Sequence, residues 1–215
     1  KLGEVSGRII GIMTEYIEQK KTHPDNGLIS QLLKARINDR PIEMGELQNM
    51  CFLLFAGGLH TVTNVLGFSY WQLAQMPALQ QRLAADPTLI PKFVEESLRM
   101  FGVILTPRIV AKDCEKLGVK FREGEMVLCM LPLAGTDERV NADPMRFDID
   151  RDQREYLTFS KGTHLCVGHF LARAEMRILT EEWLKRVPSF HLKPGAKQHY
   201  SPSTGLGITS VPLEW

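Results

Sequence analysis

The sequence predicts a mainly α-helical protein with a small β portion. Apolar residues recur at helical spacing through most of residues 1–101 and again after residue 168, whereas short apolar runs of strand length occupy residues 108–129. No internal repeat or low-complexity tract interrupts the chain. Its 215 residues, 44% hydrophobic and 24% charged, are enough to bury a sizeable core.

Five helices are expected before the strands. Leu2, Val5, Ile9 and Tyr16 share one face of an opening amphipathic helix, and a loop rich in Pro, Asp and Asn follows it. The other four are expected at residues 28–33, 44–75, 78–85 and 89–101. A last helix is expected near the C-terminus and ends at about residue 185.

The expected strands lie at residues 108–110, 117–121 and 126–129. The sequence Arg122-Glu-Gly124 is typical of a tight turn, so we expect the last two strands to pair as a hairpin. Residues 141–159, rich in Asp, Arg and Pro, are expected to be irregular, and a final hairpin is expected after Pro188.

Charge and cysteine content exclude several classes of protein. The net charge of +1 argues against strong attraction to nucleic acid or to an acidic membrane, and no apolar run near the length of a membrane span is expected. Cys51, Cys114, Cys129 and Cys166 form no C-x-x-C pair and no disulfide framework, which fits a reducing compartment. We therefore expect a cytoplasmic protein that binds neither nucleic acid nor membrane.

The most informative segment is Phe159-Ser-Lys-Gly162-Thr-His164-Leu-Cys166-Val-Gly168, which leads into an amphipathic helix. Backbone N–H groups of the loop and of the helix N-terminus favour negative charge on Cys166, and the glycines allow a flat ligand to approach closely. A thiolate without a partner cysteine at cluster spacing suggests a single axial ligand to haem iron. The alternative is that Cys166 is a small buried hydrophobic residue at a helix start.

This segment resembles the haem-binding loop of the cytochromes P450, F-x-x-G-x-H-x-C-x-G, at every fixed position. The resemblance implies the cytochrome P450 fold and haem b (iron protoporphyrin IX) as the cofactor. Cys166 would be the metal ligand, and Phe159, Gly162, His164 and Gly168 would belong to the cofactor-binding loop.

The long helix carries a second motif, Gly57-Gly-Leu-His60-Thr61. Two glycines inside a helix cost roughly 1 kcal/mol each relative to alanine, which requires a compensating gain. The Thr61 hydroxyl can reach the Gly57 carbonyl and bend the helix beside a ligand, and close helix packing against the glycines is the alternative. The motif resembles the oxygen-binding groove of the family's central helix, so Gly57, His60 and Thr61 are expected to be catalytic.

His60 departs from the family pattern, which usually has an acid directly before the threonine. The acid is thought to gate protons towards dioxygen, and a histidine can also relay protons near neutral pH. The alternative is that His60 points to water and relays no proton.

Further residues are assigned by the resemblance alone. Glu96 and Arg99 form an E-x-x-R pair on one helix face, and Arg151 would join them in a structural cluster on the haem side. Arg108 and His164 would bind the haem propionates. Taken in isolation, the E-x-x-R pair is also typical of a surface salt bridge, Arg108 of a solvated strand end and His164 of a hydrogen-bonded loop residue.

Substrate contacts are expected from small or apolar residues, which implies a small, hydrophobic substrate. By resemblance these residues are Leu53, Ala56, Ile104, Leu105, Thr204 and Gly205. The alternative for each is an ordinary place in the core.

The resemblance implies a haem-thiolate monooxygenase that hydroxylates a terpenoid or norisoprenoid with O2 and two electrons. The electrons would come from NADH through a ferredoxin reductase and a [2Fe-2S] ferredoxin. Gly57-Gly-Leu, Asp143-Pro-Met and Leu171-Ala-Arg are shared with the bacterial camphor 5-monooxygenase-like group. Because the family fold is about twice as long, residues 1–215 are expected to be the C-terminal part of a single domain whose N-terminal half is absent.

Two other functions stay open. One is a haem-thiolate binding or sensor protein without turnover, which His60 in place of the acid keeps open. The other is a non-haem α/β protein in which the cysteine loop is coincidental.

Overall fold

The computed structural model describes residues 2–202 and 205–215. It contains two compact units, residues 1–60 and residues 61–215, and the division between them falls inside one long helix. About half of the chain is helical, and the strands of the described residues pair in two-stranded sheets. The prediction of a mainly α-helical protein with a small β portion is therefore confirmed.

The first unit is built from helices and one small hairpin. Its elements are α1 (Leu2–Thr22), α2 (Leu28–Leu32), β1 (Arg36–Ile37), β2 (Arg40–Pro41) and the first part of α3 (Met44–Leu73). Ile17, Leu47 and Cys51 form its buried centre, so the expectation that Cys51 is a core residue is confirmed. The hairpin was not predicted; its turn places Asn38 and Asp39 at φ of 49° and 62°, a conformation that Asn and Asp tolerate well.

The second unit contains the rest of α3 and all later elements. These are α4 (Pro77–Ala85), α5 (Ile90–Met100), β3 (Leu105–Ile109), β4 (Cys114–Lys116), β5 (Val119–Phe121), β6 (Met126–Met130), α6 (Pro132–Gly135), α7 (His169–Arg186), β7 (His191–Leu192), β8 (Tyr200–Pro202), β9 (Leu206–Ile208) and β10 (Leu213–Glu214). Its core includes Leu73, Phe93, Leu98, Met176 and Phe190, all nearly inaccessible to solvent. This core holds α5 and α7 in place, and both helices position the candidate site.

The predicted pairing of the central strands is wrong. β5 pairs with β4 and β6 pairs with β3, so Arg122-Glu-Gly124 joins strands of two different sheets. The hairpin turn lies instead at Leu117 and Gly118, with φ of 51° and 77°. Leucine is unfavourable at positive φ, so the sequence gives little sign of a turn there.

Helix α3 also departs from the sequence analysis. Its 30 residues are long and apolar enough to cross a membrane by length and composition, although no such run was expected. The core helix of a globular protein meets the same two criteria, so this one helix does not establish a membrane span.

Candidate functional site

Cys166 lies in the loop that leads into α7. The Cys166 N–H donates a hydrogen bond to the Phe159 carbonyl at 2.9 Å, and the Leu165 N–H donates to the Gly162 carbonyl at 3.0 Å. Gly162 has a φ of +70°, which favours glycine, and it begins a short 3₁₀ turn. The His169 N–H then donates to the Cys166 carbonyl at 3.3 Å, so the backbone of Cys166 is held on both sides.

The thiol of Cys166 is exposed. Large apolar side chains before and after it in the sequence are exposed as well: Leu165, Val167, Phe170 and Leu171, of which Val167 is 79% accessible. The alternative that Cys166 is a buried hydrophobic residue is therefore wrong. An exposed thiol with exposed apolar neighbours is typical of a surface that receives a ligand or a partner.

The ligands available around this thiol decide which metal chemistry fits it. In the part of the chain that the structure describes, no group of three or more His, Cys, Asp and Glu side chains could hold a metal ion. Structural zinc sites use four protein ligands, whereas haem iron needs one axial ligand from the protein. The donor set therefore fits the haem-thiolate interpretation.

Behind the loop, α5 carries a buried ionic cluster. Arg99 donates through Nε and Nη2 to the two carboxylate oxygens of Glu96 at 2.9 and 2.7 Å, and neither side chain is accessible to solvent. Arg151 lies 3.5 Å from the same carboxylate, so the structure brings together the three residues named from the sequence. Arg154 also contacts Glu96, at 3.3 Å, a contact that no motif in the sequence predicted.

Arg108 and His164 are both exposed. Arg108 lies on β3, opposite Val127 of β6, and its Nη1 donates to the Pro107 carbonyl at 2.8 Å. His164 ends the 3₁₀ turn that precedes Cys166. Both side chains are accessible to an anionic group, as a propionate partner must be.

Two of the predicted substrate residues, Ile104 and Gly205, lie next to each other although they are far apart in sequence. Ile104 forms an antiparallel bridge with Gly205, and the Leu206 N–H donates to the Val103 carbonyl at 2.7 Å. A Cβ atom at position 205 would lie 2.3 Å from the Val103 carbonyl oxygen, so only glycine fits this approach. Leu105 begins β3 directly after this bridge.

The sixth predicted substrate residue, Thr204, lies outside the described residues.

The remaining predicted residues lie on α3. Leu53, Ala56, Gly57 and His60 are exposed in the first unit, and Thr61 is half-buried in the second. No described atom lies within 4 Å of a Cβ built on Gly57, so no neighbouring helix packs closely against this glycine in the described part of the chain. The functional role of the motif stays a prediction.

The fold and these motifs agree with a comparison to known proteins. A profile of the cytochrome P450 family matches residues 1–215. The chain belongs to the cytochrome P450 family. Haem b is the cofactor of this family.

Individual relatives support the assignment. The chain is 30% identical over 207 residues to the probable cytochrome P450 127A1 of Sinorhizobium fredii, covering 96% of this chain and 50% of that protein. It is 37% identical over 179 residues to the biotin biosynthesis cytochrome P450 of Bacillus subtilis, covering 83% and 45%. This cytochrome P450 chain therefore spans about half the length of the curated relatives it matches.

Solved structures show the same fold. The crystal structure of CYP101J2 superimposes with a TM-score of 0.93 at 35% identity, covering 100% of this chain and 55% of that chain. CYP109E1 from Bacillus megaterium, in complex with testosterone, gives a TM-score of 0.90 at 30% identity, covering 98% and 59%. The chain thus has the fold of the C-terminal portion of a cytochrome P450.

Proposed function

We propose that this chain is the C-terminal, haem-binding part of a single cytochrome P450 domain that hydroxylates a small hydrophobic substrate. The observation that carries the proposal is the exposed Cys166 thiol, fixed by backbone hydrogen bonds in a loop with exposed apolar neighbours. Cys166 would hold the iron as a thiolate, and Arg108 and His164 would pair with the propionates. Haem, when bound, supplies the activation of dioxygen.

The chain's own residues would bind and orient the substrate and deliver protons. Thr61 offers a hydroxyl and His60 a titratable ring next to it on α3, and Gly57 leaves room beside them. Leu53 and Ala56 are exposed on α3. Ile104 and Leu105, at the start of β3, are half-buried, and all four side chains are apolar or small. Such a set favours a compact apolar substrate, a terpenoid or norisoprenoid, over a charged one.

We place the protein in the bacterial camphor 5-monooxygenase-like group and in the cytoplasm. The shared short motifs at Gly57, Asp143 and Leu171 support the group, and the sparse free cysteines support a reducing compartment. Electrons would then come from NADH through a ferredoxin reductase and a [2Fe-2S] ferredoxin.

Spectroscopy of the haem-loaded protein tests the proposed ligation. The reduced carbon monoxide complex of the wild type should show the strongly red-shifted Soret band of thiolate ligation, and Cys166→Ser should lose it. Cys114→Ser is the matched control, because Cys114 is also exposed but lies on β4. A wild type without the band, or a Cys166→Ser variant that keeps it, would contradict the proposal.

A turnover assay separates this function from the sensor alternative, which His60 in place of the usual acid keeps open. With a ferredoxin system, the monooxygenase should oxidise NADH in a substrate-dependent way and release a hydroxylated terpenoid. A sensor should shift the spin state of the iron when the same terpenoid binds, without any NADH oxidation above background. The second result would replace the proposed activity by the alternative.

A further inference from the structure

A second polar cluster lies next to the Cys166 loop. It is centred on Arg173, one turn into α7, and we call it the Arg173 clamp: Glu95, Tyr156, Phe159, His169 and Arg173. Arg173 Nε donates to Glu95 Oε1 at 2.6 Å, and its Nη2 donates to the Tyr156 hydroxyl at 2.9 Å and to Glu95 Oε2 at 3.5 Å. Its Nη1 donates to the His169 carbonyl at 3.1 Å and lies 3.1 Å from His169 Nδ1.

The guanidinium group of Arg173 is fully engaged. Arginine has five N–H donors and no acceptor, and the clamp offers each donor a partner. In its contact with His169 Nδ1 the guanidinium can only donate, because arginine has no acceptor. The plane of the guanidinium also stacks on the Phe159 ring, with Cζ 4.7 Å from the ring centroid. A group held at every edge and on one face has a single orientation.

Tyr156 and Glu95 accept hydrogen bonds from Nε and Nη2 of Arg173. The Tyr156 hydroxyl donates to Glu95 Oε2 at 2.5 Å. Burial, together with the nearby Glu95 carboxylate, raises the pKa of Tyr156 to about 12, so the hydroxyl stays protonated at all working pH values. The carboxylate of Glu95 balances the charge of Arg173, and the pair is only about one-third exposed.

Arg173 touches both residues that fix the backbone of Cys166. Phe159 supplies the carbonyl that accepts the Cys166 N–H, and its ring lies under the guanidinium. His169 supplies the N–H that donates to the Cys166 carbonyl, and its own carbonyl accepts from Arg173. The rings of Phe159 and His169 also pack together, with centroids 6.0 Å apart. A single side chain therefore connects the two anchor points of the cysteine.

We propose that Arg173 is a positioning residue that holds the Cys166 loop in its ligating conformation by clamping Phe159 and His169. This inference rests on the proposed haem ligation by Cys166, and it adds a role that the sequence analysis did not assign. Lysine cannot replace Arg173, because an ammonium group has three donors, no plane to stack on Phe159 and no fork for Glu95.

Amide hydrogen exchange tests the clamp without any cofactor. In the full chain, Arg173→Gln should accelerate exchange of the Cys166 amide by roughly tenfold or more, because loss of the stack and of a charge-assisted pair loosens the loop. The exchange rate of the Cys166 amide in Arg173→Lys should lie between that of Arg173→Gln and that of the wild type. Arg177→Gln is the matched control, because Arg177 lies one turn further along α7 and pairs with Glu181 at 2.8 Å. An Arg173→Gln exchange rate equal to that of the wild type would overturn the inference.

The haem-loaded protein gives the second readout. In its reduced carbon monoxide complex, Arg173→Gln should lower the ratio of thiolate-ligated to thiol-ligated form by roughly tenfold, whereas Arg177→Gln should leave the ratio unchanged. If Arg173→Gln lowers only the melting temperature and keeps the wild-type ratio, its role is merely structural and the inference fails. If the wild type itself lacks the thiolate band, the proposed function fails, while the exchange experiment still decides whether the clamp exists.

Tyr156→Phe provides a milder variant should Arg173→Gln fold poorly. It removes one acceptor of Arg173 and leaves the stack on Phe159 intact. We expect a smaller acceleration of Cys166 amide exchange than in Arg173→Lys. An acceleration larger than that of Arg173→Gln would also overturn the inference, because the effect would then not pass through Arg173.

Discussion

Glu96 and Arg99 face each other one helical turn apart on α5, joined by two hydrogen bonds and closed off from solvent on all sides. Arg99 uses its remaining donors on the carbonyls of Gly135, Pro144 and Arg146. A buried charge pair of this kind adds little net stability, but removing one partner leaves the other charge uncompensated. Through its bonds to the Pro144 and Arg146 carbonyls, Arg99 also links α5 to the irregular segment before the cysteine loop.

Replacing Glu96 by Gln should destabilise the second unit by about 3–5 kcal/mol, because Arg99 would keep a buried charge without its carboxylate. Denaturant unfolding followed by circular dichroism measures the loss. Glu182→Gln is the control, since Glu182 pairs with Lys185 and Arg186 at the surface and should leave the midpoint unchanged. Equal midpoints for Glu96→Gln and the wild type would show that the ionic cluster is dispensable.

Gly135→Ala should also destabilise the protein, by about 1–3 kcal/mol. An added Cβ at position 135 would lie 1.8 Å from the Arg99 carbonyl oxygen, so the backbone must shift and weaken the hydrogen bond from Arg99 to the Gly135 carbonyl. Gly11→Ala is the opposite case, because Gly11 lies inside α1 with no described atom within 4 Å of the new Cβ. Thermal unfolding should show a lower melting temperature for the first variant and an equal or higher one for the second.

His60→Asp restores the acid that the family usually carries before Thr61. If His60 relays protons, this change should alter the amount of hydroxylated product formed per NADH consumed, because proton delivery and uncoupled reduction of dioxygen compete. The measurement needs the haem-loaded enzyme, a ferredoxin system and quantified product. Unchanged coupling would mean that His60 takes no part in proton delivery.

Arg40→Gln should change the acid stability of the first unit. Hydrogen bonds from Arg40, and then from the Glu43 N–H, lower the pKa of Glu46 from 4.5 to about 2. A carboxyl with a lowered folded-state pKa contributes stability above pH 4.5, and this contribution is lost as the pH falls towards 2. The difference in melting temperature between the wild type and Arg40→Gln should therefore be constant above about pH 5 and shrink as the pH falls.

Arg36→Gln serves as the control for this pH dependence. Arg36 lies in the same hairpin but donates to the neutral Asp39 carbonyl, so its effect should not vary between pH 2 and pH 5. A pH-independent difference for Arg40→Gln would contradict the assignment of the Glu46 pKa to this pair.

Helices and motifs were predictable because their signals are local. The apolar spacing of α1 and α3 and the proline at the start of α4 lie within a few residues of one another, and the structure follows them closely. The cysteine loop was recognisable for the same reason, since its fixed positions span only ten residues.

Strand pairing and the polar clusters were not predictable from local signals. The turn at Leu117 and Gly118 has no favourable residue at its first position, so Arg122-Glu-Gly124 looked like the better turn. Arg154 contacts Glu96 across 58 residues and Arg173 contacts Glu95 across 78. Nothing in the spacing of single charged residues indicates partners so distant in sequence. The packing of α5 against α7 brings Glu95 and Arg173 together, whereas Arg154 reaches Glu96 from the irregular segment before the cysteine loop.

The carbonyl partners of Arg99 also impose an order on biosynthesis. α5 is synthesised before the segment that supplies them, because the carbonyls of Pro144 and Arg146 lie 45 and 47 residues later in the chain. At ribosomal rates of about 5–20 residues per second, roughly 2–10 s pass between the synthesis of Arg99 and that of these carbonyl partners. During that interval Arg99 stays hydrated. The nascent chain can bury it only after the segment with Pro144 and Arg146 has been synthesised.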